Sequence, residues 1–169
     1  MCIRDRSCPV ERMSVVYALG RSPCPSAVEK LVSLLETDDN AYVRRATAWS
    51  LANYDNQIVS EPLIKALKND VAAVRLWSSS SLAEIGNVSL KNAQLAAAQL
   101  LISLKIDNEP GVRSNCIWSL CRLYEKLDNT FQESFVDECT KIALFDKEPS
   151  VMEEAKTALD SMGMQGFYN

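Results

Sequence analysis

Apolar residues return every three or four positions along most of the chain. They do so in pairs of stretches. The first member of each pair is AVEKLVSLLE (27–36), EPLIKALKN (61–69), LKNAQLAAAQLLISLKI (90–106) and FQESFVDECTKIALF (131–145). The second member is VRRATAWSLANY (43–54), VRLWSSSSLAEIG (74–86), VRSNCIWSLCRLY (112–124) and VMEEAKTALDSMG (151–163). This spacing predicts amphipathic helices, each with one buried face. Short links separate the members: ETDDNAY, NDVAA, DNEPG and DKEPS. Their Asp, Asn, Pro and Gly residues supply caps and breaks. The predicted unit is helix A, tight link, helix B.

The second stretches are copies of one pattern. Val43, Val74 and Val112 are each followed by Arg, with Leu51, Leu82 and Leu120 eight residues after the Val. Val151 and Leu159 keep that spacing without the Arg, and ERMSVVYALG (11–20) fits as a partial earlier copy with Arg12 and Leu19. The copies lie about 31 to 39 residues apart, a period that signals a repeat array. Neither helix of a unit can bury its stripe alone, so stacked neighbours must complete the core. The expected organisation is a partial repeat over 7–20, then helix pairs at about 25–54, 57–86, 88–125 and 127–163.

Counting helix B from its Val as zero, positions 0, 4, 7, 8 and 11 share one face, and positions 2, 3, 6 and 10 the other. Trp49 and Trp118 sit six residues after the Val, Tyr17 aligns with them, and Trp77 sits three after. All three tryptophans therefore fall off the core face of their own repeat. Two readings stand. The aromatics pack between adjacent B helices, with Trp77, nearest the core boundary, the structural one. Or they anchor a binding surface, as exposed aromatics interspersed with Arg do.

The arginines recur in register: Arg12, Arg44, Arg75 and Arg113. Link acids recur too, at Asp38, Asp39, Asp70 and Asp107. A ladder between neighbouring repeats is expected, drawn from Asp39, Asp70 and Asp107, with each Arg fork on a carboxylate or helix-end carbonyl. Met152 stands where the last copy would carry its Arg, and Glu153 and Glu154 follow. A polar final unit without that Arg suits a C-terminal cap.

Charge and composition narrow the chemistry. Net charge is −4, and no basic surface for nucleic acid is evident. No apolar run reaches the roughly 18 residues of a membrane span. The chain has no histidine, which removes Ser-His-Asp and Cys-His catalysis and His-ligated zinc. Cys2, Cys8, Cys24, Cys116, Cys121 and Cys139 form no CxxC. Such isolated cysteines read as small apolar residues of a cytoplasmic chain, so no metal is expected. The run Ser78 to Ser81 reads as small residues that let helices approach closely. No catalytic residue and no intrinsic cofactor are assigned.

PLIKALKNDVAAVRLWSSSSLAEIG (62–86) resembles the HEAT repeat family pattern, and LVSLLETDDNAYVRRATAWSLANY (31–54) and LLISLKIDNEPGVRSNCIWSLCRLY (100–124) repeat it. The resemblance implies an all-α, right-handed α-solenoid of HEAT-like helical hairpins. In such stacks the B helices line the concave surface. That places Tyr17, Arg45, Trp49, Asn53, Trp77, Glu84, Ser114, Trp118 and Arg122 along one partner or ligand groove, with Leu76 beside them. More narrowly, the short repeats and Trp-bearing B helices resemble the phycobilisome-lyase HEAT-like group of cyanobacteria. This implies a non-catalytic scaffold assisting bilin attachment to, or handling of, phycobiliprotein subunits. A bilin would be held transiently, and the partner would be a phycobiliprotein subunit or a second HEAT-repeat subunit. The alternative is a general protein–protein adaptor with no chromophore.

The opening MCIRDR has no apolar signal-peptide region after its charges. It matches the translation of a transposon adaptor used in library preparation. Residues 1–6 are therefore expected to be a sequencing artefact, and the chain the C-terminal part of a longer protein.

Overall fold

The computed structural model describes residues 8–54, 57–166 and 168, with the side chain of Gln57 left out. The expected adaptor residues 1–6 lie outside the described residues.

The described chain is an all-α solenoid. Its B helices are α1 (Pro9–Arg21), α3 (Ala41–Leu51), α5 (Ala72–Gly86), α7 (Pro110–Leu123) and α9 (Pro149–Ser161). Its A helices are α2 (Val28–Thr37), α4 (Ser60–Asn69), α6 (Leu90–Ile106) and α8 (Asn129–Phe145). Local chemistry sets the starts. The Asn40 side chain accepts from the Tyr42 and Val43 amides, Ser89 from Asn92, and Asp128 from Phe131. Pro9, Pro110 and Pro149 open α1, α7 and α9, where a missing N–H costs nothing.

One device turns A into B. Asp38, Asp70, Asp107 and Asp146 follow the A helices in extended backbone. Three of these carboxylates then accept from the amide two residues on: Asn40, Glu109 and Glu148, each at 2.9 Å. Asp70 accepts from Val71 at 2.7 Å instead. These are Asx-type turns, which Asp forms readily.

Each B helix packs on the next, and each A helix packs on the next more sparsely. The reason is side-chain size. Ser78, Ser79, Ser81, Ala48, Cys116 and Ser119 fill the B seams, all buried. Ser81 Oγ donates to the Ala48 carbonyl at 2.8 Å, and Ser119 Oγ to the Ser79 carbonyl at 3.0 Å. The serine run thus lets α5 approach α3 and α7, and Ser81 and Ser119 satisfy their hydroxyls across those seams. Ser50 holds the same register on α3, yet its buried hydroxyl, like that of Ser78, finds no partner among the described residues.

The core runs unbroken between the layers: Leu31, Leu35, Leu51, Leu63, Leu67, Leu82, Leu100, Leu104, Ile117, Leu120 and Phe135 are fully buried. No described helix is long and apolar enough to cross a membrane.

Candidate functional site

The Arg–Asp ladder joins each repeat to the next. Arg12 meets Asp38, Arg44 Asp70, Arg75 Asp107, and Arg113 Asp146, with nearest distances of 2.8, 2.6, 2.7 and 2.7 Å. Each guanidinium is bidentate through Nε and Nη2. The Nη1 groups of Arg44, Arg75 and Arg113 reach back to the carbonyls of Asp38, Asp70 and Asp107 at 2.8–2.9 Å. Arg44, Arg75 and Arg113 therefore each read their own link and grip the next one. The carboxylate hydrogen bonds push Arg12, Arg44 and Arg75 above the ordinary arginine pKa.

Asp39 is not a rung. The Asx turn at Asp38 directs that carboxylate toward α1, and Asp39 offers Arg44 only its main-chain carbonyl, at 3.3 Å. The rung at Asp146 was legible but missed: DKEPS repeats the Asp-x-Glu-Pro of DNEPG. Met152 carries no Arg, yet α9 is still tied in through Asp146 on the link before it.

The expected groove residues divide into groups. Trp49 is half-buried and its ring lies 5.4 Å from that of Tyr17, tilted by 58°. Gly20 makes the room. A Cβ there would fall 2.4 Å from Trp49 Cζ3. Trp49 thus packs into the α1–α3 seam. Trp77, expected to be the structural tryptophan, is instead 37% exposed. Three residues past the Val, it lies at the edge of the seam with over a third of its surface open to solvent.

Trp118 is 39% exposed. Arg122, one turn on, lies over its ring at 4.9 Å and pairs with Glu84 of α5 at 2.8 Å. Arg45 lies over the ring of Tyr42 at 5.4 Å. Asn53 is exposed, and Leu76 and Ser114 are half-buried. The structure therefore joins Trp118, Arg122 and Glu84 in one chain of contacts and gives Trp49 and Tyr17 to packing.

Tyr42 was missed. It is 64% exposed and stands one residue before Val43, a position that shares the outer face. Asn115 and Glu154 were missed too. Both sit three residues after their Val and line a depression of about 330 Å³ with Ser80, Gly111, Ser114 and Trp118.

The cysteines sort by burial. Cys116 and Cys139 are buried, Cys121 is half-buried, and Cys8 and Cys24 are exposed. Burial pushes the Cys116 and Cys139 thiols well up, and Cys121 to about 11. Cys24 is lowered by its hydrogen bond with Ser26. Among the described residues no group of three or more Cys, Asp or Glu is placed to hold a metal ion.

Solved structures share this architecture. A designed armadillo repeat protein in complex with the peptide (KR)4 superposes with a TM-score of 0.63 at 18% identity, over 98% of this chain and 87% of that one. An engineered protein matches with a TM-score of 0.64 at 20% identity, over 93% and 76%. A second designed armadillo repeat protein matches with a TM-score of 0.54 at 17% identity, over 99% and 97%. These likenesses concern the fold. No curated protein matches the chain in sequence. A family model described as HEAT repeats matches residues 2–83 and 28–121. With its period, its Arg–Asp rungs and its paired helices, the chain belongs to the HEAT repeat family.

Proposed function

We propose that the chain is a non-catalytic scaffold that holds a protein partner along the outer face of its B helices. One observation carries this reading. Tyr42, Trp77 and Trp118 stand in solvent on that face while the core beneath them is complete. Folding does not need them there, and aromatic side chains are the usual anchors of protein interfaces. The similar designed solenoid solved with a peptide adds support from fold.

Panning a displayed random peptide library against the chain tests it. Selected peptides should bind the parent and be lost on Trp77→Ala or Trp118→Ala. Peptides indifferent to both changes overturn the groove.

The finer form of the reading is the phycobilisome-lyase type. A bilin would be held transiently against Trp77 or Trp118, and the partner would be a phycobiliprotein subunit or a second HEAT-repeat subunit. The partly exposed indoles support it, since conjugated rings stack on tryptophan. The carboxylates Glu84 and Glu154 near Trp118 are unfavourable to bilin propionates. Tryptophan fluorescence titrated with free bilin, then with an apo-phycobiliprotein subunit, decides. Saturable quenching lost in Trp77→Ala/Trp118→Ala supports chromophore handling. A response to the apo-subunit alone supports client binding. Silence with both leaves the general adaptor.

A further inference from the structure

We propose that the depression between α5, α7 and α9 is a subsite for one long basic side chain, Lys or Arg, of the protein partner. This rests on the groove reading above and names the chemistry the groove selects.

Its lining is a set of acceptors beside an aromatic wall. The depression holds about 330 Å³ and is lined by Ser80, Gly111, Ser114, Asn115, Trp118 and Glu154. Glu154 is half-buried and has no cationic partner among the described residues. Arg122, the nearby cation on α7, is neutralised by Glu84.

Asn115 adds a second acceptor. Its Nδ2 donates to the Leu76 carbonyl at 3.1 Å and to Ser79 and Ser80 Oγ at 2.7 Å. The amide is planar, so its Oδ1 points away from those acceptors, and it accepts no hydrogen bond among the described residues. The mouth is roomy at Gly111: a Cβ there would meet only Leu76, at 3.6 Å. Glu153 and Asp160 extend the negative charge along α9, against Lys156 alone.

Three candidate occupants separate on chemistry. An anion would face Glu154. An apolar side chain would cover Glu154 and Asn115 Oδ1 without giving either a donor, which is costly. A basic side chain lays its stem on the Trp118 indole, gains a cation–π contact, and delivers charge-assisted hydrogen bonds to Glu154 and Asn115.

Fluorescence polarisation tests this with two labelled octapeptides, one of alternating Lys and Arg, one of alternating Asp and Glu. The basic peptide should bind saturably and the acidic one should not. Glu154→Gln and Trp118→Ala should each weaken the basic peptide about tenfold. Glu29→Gln, on the exposed face of α2, removes the same charge and should change it less than twofold. Equal losses at Glu154 and Glu29 mean diffuse attraction, and the subsite falls. It falls as well if the basic peptide does not bind, or if the acidic one binds better. Trp118-dependent library peptides that lack Lys and Arg would sink the subsite and leave the groove. A library with no Trp-dependent binder would remove the groove itself.

Discussion

Trp49 and Trp118 hold the same place in their repeats and meet different fates. Both lie six residues after the repeat Val, on the outer side of helix B. Trp49 closes down on the preceding helix because Gly20 and Tyr17 leave a ring-shaped gap there. Trp118 has Asn115 bonded across to α5, with Ser80 and the open depression beside it. Its ring stays in solvent under Arg122. Register puts a side chain on a face; the neighbouring repeat decides whether that face is covered.

The largest effects should come from what the two regions share. Arg44 and Arg113 rise from the same helices as these tryptophans and grip Asp70 and Asp146, whose side chains are only 12% and 10% exposed. Arg44→Ala and Arg113→Ala should each cost about 3 kcal/mol, since each strands a buried carboxylate. Denaturant melts would show it. Equal losses mean that the ladder does not cause the difference between the tryptophans.

Truncating the tryptophans should separate them. Trp49→Ala should cost about 3 kcal/mol, as large-to-small changes in packed sites do. Trp118→Ala should cost less than about 1 kcal/mol, the scale of surface changes. Comparable melting curves for the two variants would erase the distinction between packing and binding tryptophans.

Gly20→Ala sharpens the cause. The added methyl falls 2.4 Å from the Trp49 ring and 3.1 Å from Ser50 Cα. Overpacking of this kind costs about 1–3 kcal/mol, more than the roughly 1 kcal/mol of helix propensity that Ala adds. The variant should be less stable and its Trp49 emission red-shifted. Gly111→Ala, with nothing closer than 3.6 Å, should instead gain up to about 1 kcal/mol of helix propensity in the same melts.

The smallest effect is a pH slope at the α7–α9 seam. Burial raises the Cys121 thiol from 9.0 to about 11. The folded chain then keeps a proton that the unfolded chain releases. This contribution is complete below the unfolded value and is lost as pH rises from 9.0 through about 11. Cys121→Ala should make that part of the stability profile less steep, with the buried Cys116 and Cys139 keeping the remainder of the slope. Alkylation mapping at pH 8 should find Cys24 modified well before Cys116 and Cys139.

Much of this was legible in the chain. The Val-Arg-Leu register located α3, α5 and α7, and its partial copies α1 and α9, because helical periodicity is a local property that each copy states again. The arginines were legible for the same reason. Their partners were half legible: Asp38 and Asp39 are neighbours, and only the extended backbone at the helix end selects Asp38. Trp77 was misjudged because an angle on a helical wheel says nothing about the height of the next helix. Glu154 and Asn115 were invisible as a pair, since they meet only where α9 stacks on α7.

The sequence by itself determined the repeat, its two helices, its links and the side each residue faces. These follow from 3.6-residue periodicity and turn chemistry, which act within about 10 residues. Only the tertiary structure decided which aromatic is covered, which aspartate is gripped and where a depression opens. Those depend on the fit between side chains about 30 to 40 positions apart, one repeat away, and packing between repeats is settled by the volume of both partners together.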